Sequence, residues 1–219
     1  MKYYKIVDPS GHNGLKYYAG YNEDPLPFNP SGSCEPGGIY FAKEDILAFL
    51  WAGTELYEVE PVGPVYENPG KPKKYKAHAV YLRYIGRVQD NIEFLIKRGA
   101  DVQVNNDFPL RYFVNLGALQ TVKILIKHGA NIHACEDVAL RKAVGRGDFD
   151  MAKFLVKKGA DIHVYQDNPI RLAVKNEYYK IIKYLLQHGA DIHANNDEAI
   201  KLAEVSGNKK IANLIKQYC

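Results

Sequence analysis

A step of thirty residues governs the second half of this chain. "RGAD" ends at Asp101, "HGAN" at Asn131, "KGAD" at Asp161 and "HGAD" at Asp191, so glycine stands at 99, 129, 159 and 189 without drift. A step of this length and strictness marks a supersecondary unit that buries its apolar surface on its neighbours. Within each unit an Asp (Asp107, Asp137, Asp167, Asp197) precedes an apolar-periodic segment, where a carboxylate is expected to cap the free N–H groups of a helix. Pro109 and Pro169 follow two residues later, within the first turn, where a missing N–H costs nothing.

The columns predict two helices per unit. The first carries Leu110/Leu140/Ile170/Ile200, Phe113/Ala143/Ala173/Ala203 and Val114/Val144/Val174, and Gly117, Gly147 and Gly207 close it, with Glu177 as the exception. The second carries Val122/Leu125/Ile126, Ala152/Leu155/Val156 and Ile182/Leu185/Leu186, an i, i+3, i+4 stripe. In the last unit Glu204 and Lys216 replace core residues, the expected mark of a capping unit that completes the array.

The pattern "GADIHA…(A/P)(L/I)R-x-A-V…G…(V/I)-K-x-L-(L/I/V)-x-x-GA" resembles the ankyrin repeat, with Arg111, Arg141, Arg171 and Lys201 where that family usually has the His of T-P-L-H. The family's ordinary unit is about thirty-three residues. This one is three shorter, with the missing residues falling in the hairpin before the first helix. Such shortened units resemble the ankyrin proteins of giant DNA viruses of amoebae. The resemblance implies a mainly α fold, an ankyrin solenoid preceded by a small α+β domain. The expected division is 1–75 for the α+β domain and 76–100 for an irregular first repeat, with "KAHAVYLRYIG" as its first helix. Repeats at 101–130, 131–160 and 161–190 follow, then a capping repeat at 191–219.

Residues 1–75 have another texture. "YYKIV", "LKYYAGY", "GGIYFA" and "TELYEVEPV" read as strands, rich in Tyr and β-branched residues. Residues 42–53 read as a helix with Ile46, Phe49 and Leu50 on one face, and "ENPGKPKKYK" reads as the boundary. Seven Lys/Arg stand against ten Asp/Glu in residues 1–75, and twenty-two against fifteen in the remainder. That asymmetry suggests two units, the second mildly basic.

Chemistry is sparse. His133, His163 and His193 form a column headed by Gln103. Stacked units repeat roughly every 10 Å, too far apart for one ion to bridge at bond lengths near 2 Å, so no metal is expected. His12 and Cys34 as a thiolate–imidazole pair lack an identifiable orienting residue. Glu58 and Glu60 alternate with Tyr57 and Val59, the pattern of a half-exposed strand. "GRGD" (Gly145–Asp148) falls at the inter-helix turn, which sets aside an adhesive reading. Lysines ending the second helices (Lys97–Arg98, Lys127–His128, Lys157–Lys158) complement the helix dipole, so nucleic acid is not an expected partner. Three distant cysteines and the lack of a signal peptide or long apolar run suggest an intracellular, non-membrane protein without a zinc site or disulfide frame; a monomer with no cofactor is expected.

The resemblance implies a protein-binding scaffold contacting its partner through a concave face, inside a host cell. By column, the contact residues are Asn105, Cys135, Tyr165 and Asn195 near the hairpin. At the end of the first helix they are Asn115, Leu116, Gly145, Arg146, Lys175 and Asn176, with Arg146, Lys175 and Tyr165 at the centre. The alternative is an enzyme with its site in residues 1–75, for which a deep polar pocket around His12, Cys34 or Tyr40 would speak.

Overall fold

Alternation of apolar and polar residues builds the first part of the chain, and helical periodicity builds the second. The computed structural model describes residues 2–8, 16–26, 28–29, 38–43, 46–47, 50, 53–68 and 72–218. The chain divides into two compact units, residues 1–109 with 123–130, and residues 110–122 with 131–219.

In the first unit, β1 (Tyr3–Val7), β3 (Ile39–Phe41) and β4 (Glu55–Val62) fall within segments read as strands, while β2 (Gly20–Glu23) begins only at the end of "LKYYAGY" and runs two residues past it. Three further strands follow: β5 (Tyr66–Asn68), β6 (Lys74–Ala77) and β7 (Ala79–Arg87). They form two antiparallel sheets, ordered β1-β4-β7-β2 and β3-β6-β5, joined by a bridge between Tyr4 and Ala42. Ile39, Phe41, Val59, Tyr75, Ala77, Val80 and Leu82 form the core, with Tyr3, Tyr17 and Tyr57 packed against it.

Here one expectation fails. The segment "KAHAVYLRYIG" is strand, not helix, and β6 runs across the boundary expected at 75/76. Val80 and Leu82 point inward while Tyr81 and Arg83 point out, a period of two in a Tyr-, Val- and Ile-rich run that suits a strand. Its central place, hydrogen-bonded to β4 on one side and β2 on the other, settles the conformation. Of the helix read over residues 42–53, Ile46, Leu47 and Leu50 are buried in a 3-10 turn, while Phe49 and most of its neighbours lie outside the described residues. Gly53 has φ 150°, and a Cβ there would meet the Val7 carbonyl carbon at 2.0 Å, so glycine is required.

After a 3-10 turn (Val88–Asn91) and the short α1 (Ile92–Ile96), helices come in pairs. They are α2 (Val104–Leu116) with α3 (Leu119–Lys127), α4 (Ala134–Gly145) with α5 (Phe149–Lys157), α6 (Val164–Lys175) with α7 (Tyr179–Gln187), and α8 (Ala194–Val205) with α9 (Lys209–Ile215). Helices α2 and α3 run across the division between the units. In the second unit α4 packs on α6 and α6 on α8, and α5 packs on α7. The apolar columns are the core: Leu140, Ala143, Val144, Leu155, Ile170, Ala173, Ile182 and Leu185 have no exposed surface, each large aliphatic contributing about 1.5–3 kcal/mol. Ile200, in the last pair, is only half-buried.

Candidate protein-binding face of the repeats

The sequence predicts a hairpin and an Asp cap before each first helix. The structure replaces both. Residues 101–103, 131–133, 161–163 and 191–193 make a turn, closed when the Asp or Asn side chain accepts the N–H two residues on. Asp101 takes Gln103 N at 2.8 Å, Asn131 takes His133 N at 2.9 Å, and Asp161 and Asp191 take His163 N and His193 N at 2.8 Å. This is the Asx turn, native to these two side chains.

Three consecutive residues then adopt the left-handed conformation: Asn105–Asp107, Cys135–Asp137, Tyr165–Asp167 and Asn195–Asp197, with φ between 50° and 58°. The right-handed helix begins only after the Asp. Each left-handed L-residue costs about 1–2 kcal/mol, so three together cost about 3–6 kcal/mol per repeat. None of the twelve is β-branched, and Asn and Asp tolerate this region best. A single left-handed turn connects the helices in fewer residues than a hairpin, which accounts physically for a thirty-residue unit.

Three sets of contacts hold the turn. The Asp N–H closes it on the carbonyl four residues back, as in Asp167 N to His163 O at 3.0 Å and Asp197 N to His193 O at 3.1 Å. The basic column then takes up the turn's carbonyls. Arg171 donates to Gln166 O at 3.1 Å and Tyr165 O at 2.8 Å, and Lys201 donates to Asn196 O at 2.7 Å. Arg141 reaches Glu136 O and Cys135 O at 3.4 Å each.

The Asp carboxylate supplies the third set. Asp137 accepts the N–H of Asp161 at 3.0 Å and Asp167 that of Asp191 at 2.8 Å, each in the following unit. The second partner of each is its own histidine, at 3.1 Å for His133 and 3.0 Å for His163. The expected role as a cap on its own helix is therefore corrected: Asp137 and Asp167 fasten one repeat to the next. Among the described residues the Asp197 carboxylate has only His193, at 2.7 Å. Each histidine of the column pairs with its own Asp, and Gln103 at the column's head instead donates to Gly129 O at 2.6 Å.

These turns display the residues read as contacts. In the second unit Cys135, Tyr165 and Asn195 are exposed at successive turn tips. Arg141 carries its guanidinium 4.7 Å from the ring centroid of Tyr165, joining neighbouring units. Arg171 pairs with Glu198, which also accepts from Asn195. The Asn195 amide, and after it the Arg171 guanidinium, holds the Glu198 carboxyl below the usual carboxylate range. At the other end of the first helices Asn115, Leu116, Arg146, Lys175 and Asn176 are exposed and Gly145 is half-buried. Residues 168–175 separate Tyr165 from Lys175 by about 12 Å of helical rise. Asn105, in the first unit, is exposed at the tip of its own turn.

Gly147 of "GRGD" has φ 72°, and Asp148 caps α5 by accepting Met151 N at 3.0 Å, so the motif is the inter-helix turn. Glu177, where the other units have glycine, adopts φ 58°. Sequence reading missed Arg141, Arg171 and Glu198 as supports of the face. The signal for the two arginines was a basic residue standing four residues after every Asp; Glu198 had none.

In the first unit His12 and Cys34 lie outside the described residues. The carbonyl of Tyr40 accepts from Lys5 at 2.8 Å, and its ring lies 4.8 Å from the Nζ of the fully buried Lys76. Glu58 is held by Lys2 and Arg83.

An ankyrin-repeat fold of helix pairs tied turn to turn is what these elements define. The family model for ankyrin repeats matches residues 79–166 and 133–196, more than half of the chain, and the chain belongs to that family. Among its relatives is a protein of Acanthamoeba polyphaga mimivirus named for its ankyrin repeats, 34% identical over 123 residues, covering 51% of this chain and 40% of the relative. An uncharacterized protein of the same virus is 31% identical over 133 residues, covering 55% of this chain and 94% of its own length. The chain thus spans less than half of the first relative. Ankyrin repeats are protein–protein interaction modules, and no described helix is long and apolar enough to cross a membrane.

Proposed function

We propose that the chain is a non-catalytic protein-binding scaffold of viral origin, acting on a host or viral protein inside the host cell. Its repeats, divided at 101, 131, 161 and 191, stack as a solenoid and meet the partner along turn tips and first-helix ends. Arg146, Lys175 and Tyr165 are central to that face; Asn105, Asn115, Leu116, Cys135, Gly145, Asn176 and Asn195 flank them. The observation that carries this reading is the contrast between fixed and varied positions of the turn. Asp, Asx-turn residue and basic residue recur as supports, while the exposed tip changes from Cys135 to Tyr165 to Asn195. A rigid frame with variable side chains at its tips is a recognition surface.

The test uses the full chain as bait, because a cut at residue 76 would take β7 out of its sheet. Proteins crosslinked in infected-cell lysate are identified and the binding partner is purified. Arg146→Glu with Lys175→Glu, and separately Tyr165→Ala, are each expected to weaken the purified pair at least tenfold. Unchanged affinity in both would move the contact off this face.

A further inference from the structure

The second helices of the second unit carry charge of one sign. Lys153 and Lys157 on α5, Lys180 and Lys183 on α7, and Lys209 and Lys210 on α9 stand against one carboxylate, Asp150. Five of the six lysines are exposed and Lys153 is half-buried. Among the described residues none of the six makes an ion pair. Carboxylates at the turns are engaged there: Asp137 and Asp167 by histidine and backbone, Glu198 by Arg171. Asp148 and Glu177, just before α5 and α7, are engaged by Met151 N and Asn208 Nδ2.

Complementing the helix dipole does not explain this placement. Lys157 ends its helix, where a cation is favoured, but Lys180, Lys209 and Lys210 sit in the first turns of α7 and α9. There the dipole presents its positive end and a cation is unfavourable. Three lysines sit against the local field and, among the described residues, none of them is neutralised by an ion pair: the nearby Glu177 carboxylate accepts from Asn208, and Lys210 meets only the Tyr179 ring. The three helices also form one continuous face. Phe149 of α5 packs edge-on against Tyr184 of α7 at 5.8 Å between centroids, and Lys210 of α9 lies 4.3 Å from the ring centroid of Tyr179 of α7.

We propose that this face binds the phosphate backbone of duplex nucleic acid without reading its sequence. On α5 and α7 the paired lysines, at i,i+4 and i,i+3, stand about 5–6 Å apart, and neighbouring helices follow about every 10 Å, with Lys209 and Lys210 extending the row at the start of α9. Such an array of cations meets the dense charge of a duplex. All six are lysines, compact point charges on flexible stems, which suit phosphate neutralisation and not bidentate base readout. In the sequence, weak net basicity and lysines that complement helix C-termini give no reason to expect nucleic acid; the lysines at the starts of α7 and α9 are the ones the dipole does not explain.

Fluorescence anisotropy of the full chain with a labelled 30-base-pair DNA duplex tests the proposal. If four to six phosphates are neutralised, affinity is expected to fall about 10²–10³-fold between 50 and 200 mM salt. Replacing Lys180, Lys183, Lys209 and Lys210 by Gln is expected to lower the salt slope to about −2 and to weaken binding at least twentyfold at 100 mM salt. Lys153→Gln with Lys157→Gln reads the same face from a different helix and should give a smaller loss. The pair Lys16→Gln and Lys73→Gln, exposed lysines of the first unit, should bind within twofold of the parent. The fourfold variant should melt close to the parent, because removing cations from two positive helix ends offsets the lost contact of Lys210 with Tyr179. No binding at 50 mM salt, parental affinity in both second-helix variants, or equal loss in the Lys16/Lys73 variant would overturn the proposal. So would equally tight capture of polyglutamate or phosphatidylserine vesicles at 150 mM salt.

Discussion

Replacing Asp167 with Ala isolates the tie between repeats. The carboxylate is buried, with 7% of the side chain exposed, and one oxygen accepts the N–H of Asp191 at 2.8 Å. A hydrogen bond to a charged acceptor contributes about 1.5–3 kcal/mol net, and its loss leaves that N–H without its acceptor. The contact with His163, whose side chain is 55% exposed, adds at most about 1 kcal/mol. Ala is also less suited than Asp to φ 56°. Asp167→Ala is therefore expected to destabilise by about 3 kcal/mol. Asp137→Ala should match it, since Asp137 accepts Asp161 N in the same way.

Two variants serve as controls. Asp167→Asn keeps an acceptor oxygen and a left-handed preference and should cost about 1 kcal/mol. Asp197→Ala removes a side chain that is 51% exposed and bonded only to His193, and should cost less than about 1 kcal/mol. Guanidinium denaturation followed by far-ultraviolet circular dichroism gives the order, provided each transition is fitted with the uncoupling that repeat arrays show. If Asp167→Ala and Asp197→Ala fall within about 0.5 kcal/mol of each other, or Asn is as damaging as Ala at 167, the carboxylate is not the tie argued here.

The inter-helix turn gives a matched pair of substitutions. Glu177→Gly relieves a left-handed non-glycine residue but loses the bond from Asn208, for an expected gain of about 0.5–1 kcal/mol in the same denaturation assay. Gly147→Ala imposes that strain at φ 72° and sets a Cβ 2.8 Å from the Tyr178 ring, for an expected loss of about 2 kcal/mol or more. In the first unit, burial lowers Lys5 from 10.5 to about 8. Below pH 8 both folded and unfolded chains carry that proton, and the cost of burying the ammonium is fully present. Between about 8 and 10.5 the unfolded chain binds more proton, so stability rises with pH. Burial, and then the charge of Asp24, raises Tyr17 from 10.0 to about 12, which reverses the sign above pH 10. A gain of roughly 1–2 kcal/mol between pH 8 and 10 is expected, less than the full linkage because Lys5 is partly open to water. Lys5→Met should abolish this gain in urea titrations of the full chain; an unchanged pH profile would refute the assignment.

The sequence by itself determined the repeat: its thirty-residue phase, its paired helices, and the burial of Leu140, Leu155, Ile170 and Leu185. Those features are local, because an i, i+3, i+4 stripe fixes the face of a helix and a glycine with positive φ ends it. It also located the surface, since the columns at Cys135, Tyr165 and Asn195 lie outside the apolar stripe. Tertiary structure decided what depends on a distant partner. The same Asp that reads as a cap serves the N–H of a residue twenty-four positions later in Asp137 and Asp167, and no local window contains that donor. Residues 79–87 became a strand because β4 and β2 lie on either side of them, and β-propensity is realised through such neighbours. The lysine face emerged only once α5, α7 and α9 adjoined, because their charges are some thirty residues apart in the chain and about one helix diameter apart in space.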